Sequence, residues 1–309
     1  MTNTSIGIVV PCYNASTYIQ RLSLALSRLN PAPSQILLVD DSSTDKTFDL
    51  ALKANLPIIQ TACNLGPGGA RQYAMDYLTT DWVHFLDADD DIDPSYISTV
   101  LPHLNANIDV LLHSADWIDE QSGKLLEHWS FADDYFSSEP LSATFIHPVP
   151  FHCSVLRTSS IISAGGIVST YRCWEDGDLH LRLAANGARF TSISDTLSYS
   201  YRHSRGASSN HSYCHDCRMA MIKSYCANRT VPSNLLLDEA IRLGDLYFGE
   251  RMIRKSYSAY KFANSLGRPI IDTKQKLLRH LGCFLPYPIT RMIQQSIRAI
   301  SSSREVFSS

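Results

Sequence analysis

Four short apolar segments occur in the first 90 residues of this chain, and each is followed by a polar or glycine-rich turn. The segments are residues 6–10, 36–39, 57–60 and 82–86. The first three turns lead into stretches of helical periodicity that end near residues 29, 54 and 78. Strands that alternate with helices of this length form βαβ units with parallel strands and right-handed crossovers. The sequence therefore predicts an α/β fold around a mainly parallel sheet.

Polar, charged and glycine residues follow the ends of these strands. In βαβ units the carboxyl ends of the strands lie at one edge of the sheet, where open α/β folds bind ligands. The side chains expected at this edge are Tyr13, Asn14, Asp40, Asp41, Asn64, Gly66, Asp87 and Asp89. Taken singly, the residues of each turn are also those commonly found in turns and at helix N-termini. Together they predict a binding site.

Residues 87–91, Asp-Ala-Asp-Asp-Asp, follow the fourth strand directly and concentrate negative charge. A cation should compensate these carboxylates, and their oxygens suit Mg²⁺ or Mn²⁺ shared with substrate phosphates. The chain has no Gly-x-x-x-x-Gly-Lys-Ser/Thr loop, and no Gly-x-Gly-x-x-Gly follows the first strand. A metal held by carboxylates is the alternative way to bind a diphosphate.

Composition narrows the class of protein. Of the 309 residues, 44% are hydrophobic and 18% are charged, which excludes a wholly disordered or collagen-like chain. No segment approaches the roughly 18 consecutive apolar residues of a membrane-spanning helix. The first five residues lack the basic start of a secretory signal. We therefore expect a cytoplasmic protein.

Four motifs in this order resemble glycosyltransferase family 2, with its GT-A fold, over about residues 5–205. They are Val-Val-Pro-Cys-Tyr-Asn at 9–14, Val-Asp-Asp-Ser-Ser-Thr-Asp-Lys-Thr at 39–47, Asn-Leu-Gly-Pro-Gly-Gly-Ala-Arg at 64–71 and Phe-Leu-Asp-Ala-Asp-Asp at 85–90. The resemblance implies an inverting hexosyl- or N-acetylhexosaminyl-transferase. It also implies a nucleotide-diphosphate sugar as donor, most often a UDP-sugar, and a divalent cation, Mg²⁺ or Mn²⁺.

The resemblance also implies roles for single residues. Tyr13 would stack on the nucleobase, Asp41 would hydrogen-bond its edge, and Arg71 would lie near the nucleobase or the diphosphate. Asp87-x-Asp89 matches the family's Asp-x-Asp motif, with Asp87 reaching the ribose or the metal and Asp89 binding the metal between the phosphates. The other expected donor-binding residues are Pro11, Asn14, Asn64, Gly66 and Ala88.

A second acidic group occurs at residues 174–187, Trp-Glu-Asp-Gly-Asp-Leu-His-Leu-Arg-Leu-Ala-Ala-Asn-Gly. The spacing of its leucines predicts a helix that begins at Glu175 and Asp176, where the helix dipole favours carboxylates. Capping by Asp176 would by itself explain this placement. Within the resemblance, the pair matches the family's Glu-Asp motif. Asp176 is then the predicted catalytic base, with Glu175 as its acceptor-binding neighbour and the alternative base.

Residues 201–209 resemble the family's Tyr-Arg-x-His-x-x-Ser segment, which packs over the diphosphate. Arg202 is accordingly expected to bind the donor and His203 the metal. His203 comes one position early in the motif and Arg205 lies just beyond the expected histidine, so either one is a candidate for the phosphate or metal contact.

The acceptor side is expected around residues 165–174. Gly165 and Gly166 match the family's Gly-Gly-Phe loop that borders the acceptor site, with Ile167 in place of the aromatic residue. Trp174 is placed beside the acceptor by its position directly before the Glu-Asp pair.

From about residue 213 the strand signals stop and the patterns become helical, with helices predicted at 219–226, 235–248, 250–266 and 273–281. Residues 213–309 carry 15 Lys plus Arg and 7 Asp plus Glu, against 12 and 23 in residues 1–212. We predict a catalytic domain at 1–212 and a basic helical region at 213–309. Basic amphipathic segments after residue 272 fit either peripheral binding to an anionic membrane at its inner face or packing onto the protein. No nucleic-acid-binding fold accompanies this charge.

The predicted reaction moves a sugar from a nucleotide-diphosphate donor to a saccharide hydroxyl on a glycan or lipid-linked glycan. We expect it in the synthesis of cell-envelope or capsular polysaccharide, lipopolysaccharide or glycoconjugate. One alternative is a polyprenyl-phosphate glycosyltransferase, but its acceptor needs no base, whereas this chain has the Glu175-Asp176 pair. The other is an inactive nucleotide-sugar-binding scaffold, which the complete set of acidic residues disfavours.

Overall fold

The chain forms two compact units, residues 1–209 and 210–309. A computed structural model describes residues 4–131, 134–202, 211–267 and 288–296. The first unit is an α/β unit, and the second is helical.

The strands of the first unit form one mixed sheet. They are β1 (Ile6–Cys12), β2 (Gln35–Asp40), β3 (Ile58–Gln60), β4 (Trp82–Phe85), β5 (Asp91–Ile92), β6 (Val110–Asp119), β7 (Leu125–Trp129), β8 (Ser154–Arg157) and β9 (Phe190–Arg202). Within the described residues the order is β3-β2-β1-β4-β8-β6-β9-β5, with β7 paired to β6. Strands β1 to β4 pair in parallel, as the sequence predicts. The pairs β4–β8, β6–β8, β6–β7 and β5–β9 are antiparallel, which makes the sheet mixed.

The register of the parallel strands places the predicted site at one edge. The β1–β2 pairing runs to Cys12 opposite Asp40, so Tyr13 and Asp41 leave the sheet side by side. The β1–β4 pairing runs to Val9 opposite Phe85, and Asp87 follows two residues later. The turns after β1, β2 and β4 therefore converge, as expected of parallel strands.

Helices cover both faces of this sheet. They are α1 (Ile19–Ser27), α2 (Thr47–Lys53), α3 (Gly66–Met75), α4 (Tyr96–Val100), α5 (Tyr135–Ser138), α6 (Pro140–Ile146), α7 (Thr158–Ser163) and α8 (Glu175–Ala185). Side chains alternate across β1: Val10 packs in one core with Leu22 of α1, and Val9 packs in the other with Ala70 of α3. Helix α8 begins where the acidic pair was predicted to start a helix.

The second unit contains α9 (His211–Asn228), α10 (Ser233–Gly249), α11 (Ile253–Leu266) and a further helical segment at 288–296. Helices α9 and α10 cover the helices predicted at 219–226 and 235–248, and α11 begins three residues after the start of the helix predicted at 250–266. The helix predicted at 273–281 lies outside the described residues. Arg291 pairs with Asp245 of α10 at 2.6 Å, which attaches the last segment to the unit. No helix in the described ranges has the length and apolar character needed to cross a bilayer.

Candidate active site

Asp41 organises the turn that follows β2. Its carboxylate is buried and accepts hydrogen bonds from the backbone N–H groups of Leu65 and Gly66, both at 2.8 Å, and from the Thr61 hydroxyl at 3.0 Å. The Asn64 side-chain amide donates to the carbonyl of Asp41 at 3.2 Å. Asp41 therefore fixes the start of α3 against the end of β2, and three predicted donor-site residues lie together.

The end of β1 supplies an exposed aromatic ring. Pro11 still pairs with β2, and Tyr13, which follows the strand, is 53% exposed. Asn14 has a φ of +50°, a left-handed conformation that asparagine tolerates. Its side-chain oxygen accepts a hydrogen bond from the Thr44 backbone N–H at 2.8 Å. This bond holds the turn after β1 against the turn after β2 and leaves the Tyr13 ring facing solvent.

Arg71 joins the predicted donor side of the site to the acidic pair of α8. It lies on α3 and is only 4% exposed. Its guanidinium group donates to Glu175 at 2.8 Å, donates to Asp87 after β4, and packs over the Phe151 ring at 4.8 Å. The sequence predicts Arg71 near the donor, but it does not predict the bond to Glu175.

Asp176, the predicted base, has a raised pKa. Burial, and then the charge of Glu175, raise the pKa of Asp176 from its ordinary 3.8 to about 7. Burial also raises the pKa of Glu175, although the cation of Arg71 opposes that shift. A carboxylate with a pKa near neutrality accepts a proton more readily than an ordinary one.

The backbone before this pair is strained. Trp174 has a φ of +78°, in the left-handed region that bulky residues rarely adopt. Such residues cost about 1–3 kcal/mol and cluster at functional sites. Trp174 is half-buried and lies directly before the acidic pair, which is where the sequence places an acceptor-side residue.

The acidic run after β4 splits into exposed and buried carboxylates. Asp87 and Asp89 are partly exposed, whereas Ala88 and Asp90 are buried. Burial, followed by the charges of Asp87 and Asp89, raises the pKa of Asp90 well above its ordinary value. Asp91 is also partly exposed, but it belongs to β5 and pairs with Arg28 at 3.0 Å. Asp87 and Asp89 are therefore the carboxylates of this run that we assign to a ligand.

The carboxylates of Asp87 and Asp89 fit a divalent cation that is bound jointly by the protein and a diphosphate. In the part of the chain that the structure describes, no three His, Cys, Asp or Glu side chains form a metal-binding group. Mg²⁺ is commonly bound through one or two carboxylates, with phosphate oxygens and water completing its coordination. Asp89 and Asp87 match that arrangement. His203, the third predicted ligand, lies outside the described residues.

Arg202, at the end of β9, lies over an aromatic platform. Its guanidinium carbon is 4.0 Å from the centroid of the Trp117 ring on β6. The Trp117 indole N–H points to Nε2 of His152 at 3.4 Å, and His152 is buried. The sequence predicts Arg202 but does not identify Trp117, because nothing local distinguishes an aromatic residue beneath a cation from a core residue in a strand.

The glycines at the start of α3 allow a second segment to approach the helix closely. A Cβ on Gly68 would lie 2.7 Å from the carbonyl oxygen of Val168. Gly165 and Gly166 both have positive φ, and the next backbone N–H, that of Ile167, donates to the Gln72 side chain of α3 at 2.6 Å. The segment 165–174 therefore lies against α3 and leads into the acidic pair.

Comparison with known proteins identifies the family of the chain. The family model described as Glycosyl transferase family 2 matches residues 7–163, about half of the chain. The uncharacterized glycosyltransferase YibD of Escherichia coli is 26% identical over 128 residues, which are 40% of this chain and 37% of YibD. The poly(ribitol-phosphate) beta-N-acetylglucosaminyltransferase TarS of Staphylococcus aureus is 32% identical over 127 residues, 39% of this chain and 20% of TarS. The chain thus matches less than half the length of these curated relatives.

Solved structures share the fold. Residues 1–349 of S. aureus TarS in complex with UDP-GlcNAc superpose with a TM-score of 0.66 and 18% identity, over 98% of this chain and 92% of that one. The mannosyltransferase PcManGT from Pyrobaculum calidifontis, in complex with GDP-Man and Mn²⁺, gives a TM-score of 0.60 and 13% identity, over 97% and 88% of the two chains. With the family model and the four ordered motifs, these findings confirm the predicted fold and family: the chain belongs to glycosyltransferase family 2 and has the GT-A fold.

Proposed function

We propose that this protein is a metal-dependent inverting glycosyltransferase that moves a sugar from a nucleotide-diphosphate donor, by preference a UDP-sugar, to a saccharide hydroxyl. One observation carries the proposal. Arg71 bridges Asp87, on the donor side, and Glu175, whose neighbour Asp176 has a pKa of about 7. The group suited to accept a proton is thus connected through one buried guanidinium group to the place where a diphosphate would bind.

The chemistry follows from this arrangement. The acceptor hydroxyl attacks the anomeric carbon, its proton passes to Asp176, and the bond from that carbon to the diphosphate oxygen breaks on the opposite face. Glu175, bonded to Arg71, holds its neighbour in place and raises the pKa of that neighbour. Above about pH 7 Asp176 is ionised and able to act as the base.

Different donor-side residues would bind the nucleobase and the diphosphate. Tyr13 offers an exposed ring for the nucleobase, and the Asp41 turn forms the neighbouring wall. Asp89, with Asp87, would hold the divalent cation, which when bound neutralises charge on the leaving diphosphate. Arg202, held over Trp117, is a second source of positive charge for the same group.

Relatives support a role in cell-envelope polysaccharide synthesis. Besides TarS, they include the amylovoran biosynthesis glycosyltransferase AmsB of Erwinia amylovora, 35% identical over 100 residues, and the succinoglycan biosynthesis protein ExoU of Rhizobium meliloti, 24% identical over 214 residues. We infer a glycan or lipid-linked glycan acceptor of that kind.

Peripheral attachment to the inner face of an anionic membrane stays a prediction. Most of the basic residues after residue 272 that motivate it lie outside the described ranges. Arg291, which is described, pairs with Asp245 within the helical unit, and this contact favours packing for that residue.

A donor panel tests the proposed function. Purified protein with Mn²⁺ is incubated with UDP- and GDP-sugars, and release of nucleoside diphosphate is measured as slow donor hydrolysis. We expect turnover of one donor class and its loss in Asp176→Asn. Asp178→Asn is the matched control, because that carboxylate is two residues further along α8 and pairs with Arg182 at 2.8 Å. Nucleotide binding without turnover of any donor would indicate a scaffold instead.

A further inference from the structure

One arginine beside the proposed donor site has no ionic partner in the part of the chain that the structure describes. Arg172 lies in the segment 165–174 and is exposed. Every other described arginine of the first unit pairs with a carboxylate or packs over an aromatic ring, whereas Arg172 does neither within the described residues. A cation that is exposed and unpaired among the described residues is available to a ligand.

The side chain of Arg172 lies over Gly66. Its Cγ, Nε and Cδ atoms are 3.6, 3.7 and 3.9 Å from the position that a Cβ on Gly66 would occupy. Gly66 has a φ of +78° and donates its N–H to Asp41 at 2.8 Å. Arg172 therefore covers the turn that Asp41 organises.

This turn is at the nucleoside end of the proposed site. The diphosphate end is marked by Asp87, which pairs with Arg71. Arg71 lies five residues after Gly66 along α3, and at 1.5 Å per residue this separates the two backbone positions by about 7.5 Å along the helix axis. Arg172 is thus closer to the end of the site where the nucleobase would bind.

Contacts on both sides of Arg172 hold the segment that carries it against α3. Before it, the Ile167 N–H is bonded to Gln72, and the Val168 carbonyl lies against Gly68. After it, Glu175 is bonded to Arg71. All three partners belong to α3, so the segment carrying Arg172 cannot move from the site without breaking these contacts.

We propose that Arg172 is a nucleoside-binding residue whose guanidinium group packs against the nucleobase of the donor. The inference rests on the proposed function, since it requires a nucleotide at this site. A guanidinium group is planar, always charged and packs on aromatic faces, which an ammonium group does less well. The ring of Tyr13 and the guanidinium group of Arg172 then both contact the nucleobase, while Asp89 binds the metal at the diphosphate.

Binding of a nucleotide series tests this assignment. Dissociation constants are measured by calorimetry or competition with Mn²⁺ for the nucleoside diphosphate, monophosphate and nucleoside of the uracil or guanine series, whichever the wild type binds. Arg172→Ala should weaken all three by the same factor, about threefold to tenfold, and Arg172→Lys should restore only part of it. Lys124→Ala, which removes a positive charge from the turn between β6 and β7, should change none of them.

The outcomes separate this inference from the function it rests on. A loss confined to the diphosphate would show that Arg172 contacts phosphate and would overturn the assignment. Unchanged binding of all three ligands would overturn it as well, while the proposed function would stand on wild-type turnover. A wild type that binds neither nucleotide series would overturn the proposed function itself. Arg172 is exposed, so unchanged thermal unfolding of the variants shows that they fold.

Discussion

Asp176→Asn should abolish transfer and, at the same time, stabilise the catalytic unit at neutral and alkaline pH. Burial and Glu175 raise the pKa of Asp176 to about 7, against an ordinary value of 3.8. A carboxyl whose pKa is higher in the folded chain stabilises the fold only while it is protonated. That contribution is complete below about pH 4 and is lost as the pH rises through about 7. Because asparagine cannot ionise, the variant does not lose this stability as the pH rises.

The size of the effect follows from the shift. A rise of about three pKa units corresponds to about 4 kcal/mol, at about 1.4 kcal/mol per unit. Asp176 is partly exposed, and solvent screening reduces this value. We expect the free energy of unfolding of the variant to exceed that of the wild type by about 1–4 kcal/mol at pH 8, and by much less at pH 4.

Urea unfolding followed by tryptophan fluorescence measures this difference. The chain has four tryptophans, Trp82, Trp117, Trp129 and Trp174, and all lie in the first unit, so the signal reports the catalytic unit. Titrating groups remote from the pair Glu175-Asp176 are common to both proteins and cancel in the comparison, and the remaining difference belongs to this pair. Asp178→Asn makes the same chemical change in a carboxylate paired with Arg182, and it should give no gain at pH 8.

Two results would refute this reasoning. An equal gain in stability at both pH values would mean that the ionised carboxylate is not the source of the effect. A variant that is less stable than the wild type at pH 8 would mean that Asp176 is stabilised as an anion, contrary to its raised pKa. Full transfer activity in the variant would mean that the base is Glu175, Asp178 or another group.

Three further predictions concern the donor side. Asp89→Ala should weaken Mn²⁺-dependent UDP binding at least about tenfold, measured by calorimetry with and without the metal; equal affinity in both proteins would remove Asp89 from the metal site. Gly68→Ala should lower the free energy of unfolding by about 1–3 kcal/mol and reduce turnover, because the new Cβ would lie 2.7 Å from the Val168 carbonyl oxygen. Arg71→Lys should lower kcat more than it raises KM in steady-state assays, since an ammonium group lacks the planar fork that reaches two carboxylates; a change confined to KM would contradict the bridging role.

The parallel half of the fold could be predicted because its signals are local. Each of β1 to β4 is a short apolar run followed at once by its turn, and the observed strands begin and end within two residues of the predicted segments. Parallel pairing then brings the turns to one edge without further information. This is why Asp41, Gly66 and Asp87 could be predicted from the sequence to lie at one edge of the sheet.

Contacts between distant residues could not be predicted in this way. The bond between Arg71 and Glu175 joins positions 104 residues apart, and the platform beneath Arg202 comes from Trp117 on another strand. The antiparallel pairing of β4 with β8 is likewise decided by packing, since no turn connects the two strands. A single sequence shows which residues are charged or aromatic, but it does not show which of them meet.

The start of α3 illustrates how a local interpretation can be incomplete. Glycine and proline there suit a turn and a helix start, and Gly66 does have a positive φ. Gly68 has an ordinary φ and is needed for a different reason, because a side chain would displace the segment that carries Arg172 and leads to Asp176. Helix α3 therefore supports the donor turn through Gly66, the acidic pair through Arg71 and the intervening segment through Gly68. A change at any of these positions should affect donor binding and proton transfer together, because one rigid helix positions both.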